Sequence, residues 1–125
     1  MSRAVWDASA LLMVIQREPG WDSVAFDGVV VGSPNLTEVA SRLIDAGLPS
    51  VETREALDAL GLEIHDFTRE LAFATAGLRP ATRSLGLSLG DRACLALGQA
   101  LGLPVLTADR AWAGLKVGVE IRLLR

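Results

Sequence analysis

The sequence predicts an α/β domain with a short, mostly parallel sheet covered by helices on both faces. Short apolar runs, several of them rich in β-branched residues, alternate along the chain with longer segments of helical spacing. Half of the 125 residues are hydrophobic, which is enough to build a core at this length. We therefore expect a single domain that covers residues 1–125.

Strands are predicted where short apolar runs end at a turn or at a polar residue. Residues 4–6 form such a run before Asp7, and residues 29–31 are three valines between two glycines. The remaining predicted strands are residues 62–65, where apolar and polar residues alternate, and residues 104–107, with a candidate fifth strand at 119–124.

Helices are predicted between these strands from apolar spacing and from residues that begin or end a helix. Ser33 is predicted to cap a helix whose first residue is Pro34. Ser88 and Asp91 form the cap signature of a later helix, which Gly102 ends. The predicted helices are 8–17, 33–47, 51–60, 68–78 and 88–101, with a short amphipathic piece at 21–26 and a break at Pro80.

Charge and composition exclude several classes of protein. A net charge of -3 is not the basic balance of a module that wraps DNA. The single cysteine, Cys94, excludes an intramolecular disulfide, and the single histidine, His65, excludes a zinc site of clustered Cys and His, so we assign both to structure. No signal peptide and no apolar stretch of about 18 residues is found, so we expect a soluble, cytoplasmic protein without a membrane partner.

Four carboxylates fall where such a sheet binds ligands, outside the carboxyl ends of its strands. Asp7 directly follows the first strand, and Asp109 follows the fourth. Glu38 and Asp91 lie near the beginnings of two helices and can point at the same edge. Since neighbouring carboxylates cannot all ionise cheaply, we expect Mg²⁺ or Mn²⁺ to neutralise them. The chemistry that this arrangement supports best is metal-assisted hydrolysis of a phosphodiester.

Each of these acids also has a local interpretation that requires no catalysis. Acidic residues at the beginnings of helices commonly act as caps. An acidic residue that lies four positions before a basic one on a helix commonly forms a surface ion pair with it. The local interpretations are a helix cap at Asp7, an ion pair of Glu38 with Arg42, a capping box of Ser88 with Asp91, and a cap on a short turn at Asp109.

Hydroxyl and basic residues near the same edge are candidates for supporting roles. Ser9 and Thr107 lie two residues from Asp7 and Asp109, where each can orient a carboxylate or a water, or else make local turn hydrogen bonds. The candidates for holding phosphate, each with a solvated surface charge as its alternative, are Arg92, Arg110 and Arg42, with Lys116 ranked behind them.

Four segments of the chain, taken in order, resemble the acidic motifs of PIN-domain ribonucleases. They are residues 5–12, 34–39, 85–93 and 106–112, and the resemblance extends over essentially the whole chain. The subgroup that it resembles most is the VapC toxins of bacterial toxin–antitoxin pairs. Ala8 departs from the pattern, because many relatives carry a hydroxyl residue there.

The resemblance implies a three-layer α/β/α sandwich and a Mg²⁺- or Mn²⁺-dependent endoribonuclease that leaves 5′-phosphate and 3′-hydroxyl ends. It implies that Asp7, Asp91 and Asp109 surround the metal and that Glu38 ligates it directly or through water. It places Thr107 where the family keeps a small hydroxyl or amide residue. The implied partners are an RNA substrate and a VapB-type antitoxin whose tail lies over the active site.

Two other functions remain open at this stage. A PIN scaffold can serve as a non-catalytic module that binds RNA or protein. A receiver domain of a signalling system has similar length and an acidic pocket, but it needs a second acid after the first strand and a lysine after a late one. We also expect a homodimer, because the helices at 51–60 and 70–78 carry more apolar residues than one small sheet needs.

Overall fold

Helices enclose a five-stranded parallel sheet in the structure, a computed structural model that describes residues 3–124. The strands are β1 (Ala4–Trp6), β2 (Val29–Gly32), β3 (Glu63–His65), β4 (Val105–Thr107) and β5 (Ile121–Leu123). The helices are α1 (Ala8–Ile15), α2 (Ser33–Asp45), α3 (Ser50–Asp58), α4 (Arg69–Gly77), α5 (Arg79–Thr82) and α6 (Leu89–Leu101). Short 3₁₀ turns lie at Trp21–Ser23, Arg83–Leu85 and Arg110–Trp112.

Alternate residues of the central strands pack on opposite faces of the sheet. Val5 and Val30 belong to a buried cluster that α6 helps to form. Ala4, Trp6 and Val31 belong to a second buried cluster, which is formed with side chains of α1, α2 and α3. The predicted three-layer α/β/α sandwich is therefore confirmed, and among the described strands every pairing is parallel.

The beginning of α2 differs from the prediction by one position. Ser33 was expected to cap the helix, but Ser33 is its first residue and Gly32 is the N-cap. The Ser33 hydroxyl instead accepts a hydrogen bond, at 3.1 Å, from the backbone N–H of Phe67 in the loop after β3. A contact between distant segments thus replaces the local cap.

Two helices end two residues before the predicted boundary, for the same physical reason. Helix α1 ends at Ile15 rather than at residue 17, where Arg17 has a left-handed φ of 52°. Helix α2 ends at Asp45, and Gly47 has a φ of 107°. A residue with positive φ cannot continue a right-handed helix, so it marks the terminus.

The order of the strands is β3-β2-β1-β4-β5, which places β1 at the centre. The chain moves outward from β1 through β2 to β3, and it then returns to β4 on the other side of β1. Ligands of open α/β sheets bind at such a reversal, in the crevice outside the carboxyl ends of the two strands. Receiver domains have the order 2-1-3-4-5, so the structure does not support the receiver hypothesis.

No helix among residues 3–124 is both long and apolar enough to span a bilayer.

Candidate functional site

Asp7 lies at the crevice between β1 and β4, and the residue is 3% exposed. Its backbone N–H donates to the Leu106 carbonyl at 3.1 Å, which extends the pairing of β1 with β4 by one residue. One carboxylate oxygen accepts from the Ala10 N–H at 2.8 Å, so Asp7 is also the N-cap of α1. The local and the functional interpretations of this residue therefore apply together.

Two hydroxyls hold the Asp7 carboxylate in place. Thr107 Oγ1 donates to it at 2.6 Å, and Ser9 Oγ lies 2.8 and 2.9 Å from its two oxygens. These hydroxyls also accept hydrogen bonds from the backbone of the loop after β4, Ser9 from Ala108 and Thr107 from Asp109, each at 3.0 Å. The network fixes the loop that carries Asp109 relative to Asp7.

Burial raises the pKa of Asp7 from its ordinary value of 3.8 to about 6. The hydrogen bonds from Thr107, Ala10 and Ser9 lower the pKa and offset part of this effect, whereas the nearby negative charge of Asp91 raises it further. A nearby cation would stabilise the ionised form of this buried carboxylate and so lower its pKa.

Glu38 enters the crevice from the second turn of α2 and is half-buried. Its Oε1 accepts from Asn35 Nδ2 at 2.9 Å. Burial raises the pKa of Glu38, and the negative charge of Asp91 raises it further. The hydrogen bond from Asn35 and the positive charge of Arg42 lower the pKa and offset part of this effect. Arg42 is thus close enough to act on Glu38 through charge, and it lines the same cleft.

Asp91 and Asp109 each make the local cap that the sequence predicted. Asp91 Oδ2 accepts from the Ser88 N–H at 3.0 Å, and Ser88 Oγ accepts from the Asp91 N–H at 3.1 Å, which completes a capping box on α6. Asp109 Oδ1 accepts from the Ala111 N–H at 2.9 Å at the start of the 3₁₀ turn. Asp91 is half-buried and Asp109 is exposed.

A cleft of about 200 Å³ brings the four acids together, although they come from four separate segments of the chain. The lining residues are Asp7, Ala8, Ser9, Leu12, Glu38, Arg42, Asp91 and Asp109. The buried thiol of Cys94 lies close enough to be affected by three of these charges. The pKa of Cys94 is raised by burial and further raised by Asp7, Asp91 and Glu38. The sequence-based expectation that these acids converge is consistent with this geometry.

The donor chemistry of the cleft fits a hydrated divalent ion better than a cage made by protein alone. Within residues 3–124, no group of three or more His, Cys, Asp or Glu side chains is arranged to hold a metal ion directly. Mg²⁺ prefers carboxylate oxygens, keeps several waters and commonly binds through one or two carboxylates together with substrate phosphates. Asp7 and Asp91, which interact electrostatically, fit that coordination.

Of the basic residues predicted to hold phosphate, the structure brings only Arg42 to the cleft lining. Arg92 instead extends from α6 towards α4, where Nη1 donates to the Thr75 carbonyl at 3.2 Å. Arg110 and Lys116 are exposed and are not part of the lining. A side chain as long as arginine can reach several neighbours, so its position in the sequence does not determine its direction.

His65 and Cys94 were assigned to structure. His65 Nε2 lies 2.6 Å from Glu63 Oε2 on the edge strand β3, and Cys94 is a buried free cysteine of α6. Neither side chain lines the cleft.

Sequence reasoning missed two residues beside the cleft, Asn35 and Gly90. Asn35 is 1% exposed and contacts both Glu38 and the backbone of Gly90. Asn35 lies inside the second acidic segment and Gly90 inside the third, so the sequence places each close to one of the acids. Their contact with each other was not, because 55 residues separate them.

The structure is similar to solved chains of bacterial toxin–antitoxin systems. One is from a toxin–antitoxin complex of Klebsiella pneumoniae, with a TM-score of 0.75, 17% identity and 98% of both chains covered. A chain of DNA-bound VapBC from Salmonella typhimurium has a TM-score of 0.73 and 16% identity over 100% of both chains. A chain of VapBC-5 from Mycobacterium tuberculosis has a TM-score of 0.66 and 20% identity, over 100% of this chain and 99% of that one.

No protein-family model matches the chain, and no curated protein matches its sequence. At identities this low, the likeness to solved structures establishes the fold alone. The PIN-like fold that the four motifs implied is confirmed, since the likeness extends over nearly the whole chain.

Proposed function

We propose that this chain is a metal-dependent endoribonuclease, the VapC-type toxin of a toxin–antitoxin pair. The observation that carries the proposal is the cleft at the reversal of strand order, where Asp7, Glu38, Asp91 and Asp109 converge from four segments of the chain. Three local caps and an ion pair would not require acids from four separate segments to share one cleft.

The residues of the cleft would have different roles in the proposed reaction. Asp7, held by Thr107 and Ser9, and Asp91 would hold Mg²⁺ or Mn²⁺. The ion, when bound, supplies a Lewis acid that stabilises negative charge on the phosphate.

Glu38 and Asp109 lie beside them with carboxylate oxygens that can accept a hydrogen bond from an attacking water. Arg42 supplies the positive charge in the lining that can contact phosphate.

Replacement of either proposed metal ligand tests this function directly. Asp7→Asn and Asp91→Asn should each lower the rate of RNA cleavage in Mg²⁺ or Mn²⁺ by about 100-fold or more. Asp45→Asn, which removes an exposed carboxylate at the end of α2, is the matched control and should cleave at the wild-type rate. Undiminished cleavage by both cleft variants would exclude the proposed site.

The proposed partners are an RNA substrate, a VapB-type antitoxin and a second copy of the chain. Support for the antitoxin comes from the solved structures of similar fold, which are toxin–antitoxin complexes. Apolar side chains exposed on α3 and α4, such as Val51 and Phe73, agree with an expected homodimer. Sedimentation of the purified chain, alone and with its antitoxin, measures both assemblies.

A second candidate function is a non-catalytic module that binds RNA or protein on the same scaffold. The observation that favours it is that no three acids within residues 3–124 are arranged to ligate a metal together. This module would bind Mn²⁺ or RNA without cleaving any of several RNAs, whereas the nuclease would cleave at least one.

A further inference from the structure

Asn35 is a buried amide whose hydrogen bonds all run towards the acidic cleft. Its Nδ2 donates to Glu38 Oε1 at 2.9 Å and to the Gly90 carbonyl at 3.1 Å. Both partners are acceptors, so the amide orientation is fixed, since the flipped amide would direct its oxygen at two other oxygens. Oδ1 has no hydrogen-bond partner among the described residues. An unpaired buried acceptor is costly, so the amide is placed for its two donated bonds.

Gly90 leaves space that the Glu38 carboxylate fills. A Cβ built on Gly90 would lie 2.8 Å from Glu38 Cδ and closer still to Oε1, and the nearest atoms that it would meet all belong to Glu38. The backbone of Gly90 does not have the positive φ that favours glycine. Gly90 is the second residue of α6, and alanine is the better helix former, so the helix itself does not require a glycine here. The absence of a side chain instead makes room for the Glu38 carboxylate.

These two contacts place Glu38 between α2 and α6, next to Asp91. The carboxylate would otherwise be free to rotate about three side-chain torsions towards solvent. The bond from Asn35 holds Oε1, and the missing side chain at Gly90 allows α6 to approach it.

We propose that Asn35 and Gly90 are positioning residues that hold the carboxylate of Glu38 in the acidic cleft, one by hydrogen bonding and the other by leaving room. The proposal rests on the proposed function only where it gives that carboxylate a part in RNA cleavage. The bond and the space can be tested without any activity.

A double-mutant cycle in thermal stability tests the space at Gly90. The variants are Gly90→Ala, Glu38→Ala and both together, with Gly77→Ala as the matched control. Gly77 is a helical glycine of α4 with nothing within 4 Å of an added Cβ. Gly77 is the last residue of α4, so we expect Gly77→Ala to raise Tm by at most about 2–4 °C, because alanine favours the helix.

Gly90→Ala should raise Tm by clearly less than this control while Glu38 is present, and by a similar amount once Glu38 is alanine. In cleavage assays, Gly90→Ala should lower the rate by about 100-fold through displacement of the carboxylate, and Gly77→Ala should leave it unchanged. A loss of cleavage without a loss of Tm is a result that a purely structural role of Gly90 would not produce.

A reversal of donor and acceptor tests the hydrogen bond of Asn35. Asn35→Asp keeps the shape of the side chain but makes two carboxylates face each other, so Tm should fall. Adding Glu38→Gln supplies an amide that can donate to Asp at position 35, so the double variant should recover part of the lost Tm. If Asn35 served only to join α2 to the Gly90 carbonyl, the second substitution would bring no recovery.

The outcomes separate the two proposals. An equal gain in Tm from Gly90→Ala with and without Glu38, together with wild-type cleavage by Gly90→Ala, would overturn the positioning role. If wild-type protein cleaves no RNA in Mn²⁺, the proposed nuclease function fails, and the two Tm comparisons still decide whether Asn35 and Gly90 position Glu38.

Discussion

Single residues at the cleft serve structure and the proposed chemistry together. Asp7 caps α1, continues the β1–β4 pairing and carries a buried carboxylate. The same is true of Asp91, whose carboxylate completes a capping box. The cap of Asp91 uses only Oδ2, whereas the oxygens of Asp7 accept from three donors, Ala10, Ser9 and Thr107. A carboxylate offers about four acceptor positions, so each of these two retains capacity for a ligand. Local and functional interpretations of an acid at the beginning of a helix therefore need not compete.

The raised pKa of Asp7 predicts how stability depends on pH. Between its ordinary value of 3.8 and the folded value of about 6, the folded protein holds a proton that the unfolded chain has lost. Stability therefore falls as pH rises through this window, by about 2–3 kcal/mol in total. Asp7→Asn should remove this contribution, so its stability advantage over wild type should be absent near pH 4 and largest near pH 7.

Chemical denaturation in EDTA at several pH values measures this difference. Asp45→Asn corrects for the loss of one charge, because its carboxylate is exposed and lies outside the cleft lining. A constant difference between Asp7→Asn and wild type from pH 4 to pH 7 would contradict the raised pKa.

At the scale of elements, the contact of α6 with the sheet depends on a glycine that the sequence did not single out. A Cβ on Gly98 would lie 2.6 Å from Val105 Cγ2 and 3.1 Å from Val119 Cγ2. Helix α6 therefore packs closely over β4 at this point. The first turn of the same helix carries Asp91.

Gly98→Ala should destabilise the protein, although alanine favours a helix. Overpacking of a core typically costs about 1–3 kcal/mol, which exceeds the gain of about 0.5–1 kcal/mol from helix propensity. Gly77→Ala, in open space, should show the gain alone. Urea denaturation of both variants measures the contrast, and a stability gain in Gly98→Ala would show that α6 can move away from β4 at little cost.

At the scale of the whole molecule, the net charge of -3 has a local origin. Four of the 15 acidic residues line one cleft together with Arg42, which leaves 11 acidic and 11 basic residues elsewhere. The negative charge is thus concentrated where a divalent cation would offset about half of it. A protein that is slightly acidic overall can therefore still approach a phosphate chain once the cleft holds a cation.

Binding of Mn²⁺ should raise Tm of the whole protein, because the ion binds only the folded cleft. At about 100 times the dissociation constant the stabilisation is about 2.7 kcal/mol. Asp7→Asn and Asp91→Asn should respond less than wild type, and Asp45→Asn should respond as wild type does. Thermal denaturation with increasing Mn²⁺ at pH 7.5 measures the response, and equal shifts in all four proteins would exclude a shared site.

The fold class, the order of the elements and the identity of the four acids could be predicted from the sequence by itself, because each depends on the pattern of neighbouring residues. Apolar runs that end at Asp7 or Asp109 indicate strand ends, and Ser88 with Asp91 indicates a helix beginning. Only the tertiary structure decided which side chains meet across the cleft. Arg92 turns towards Thr75, and Asn35 reaches Gly90 from 55 residues away. Such contacts depend on how two helices pack, and the sequence of one helix does not indicate which residues of the other it will contact.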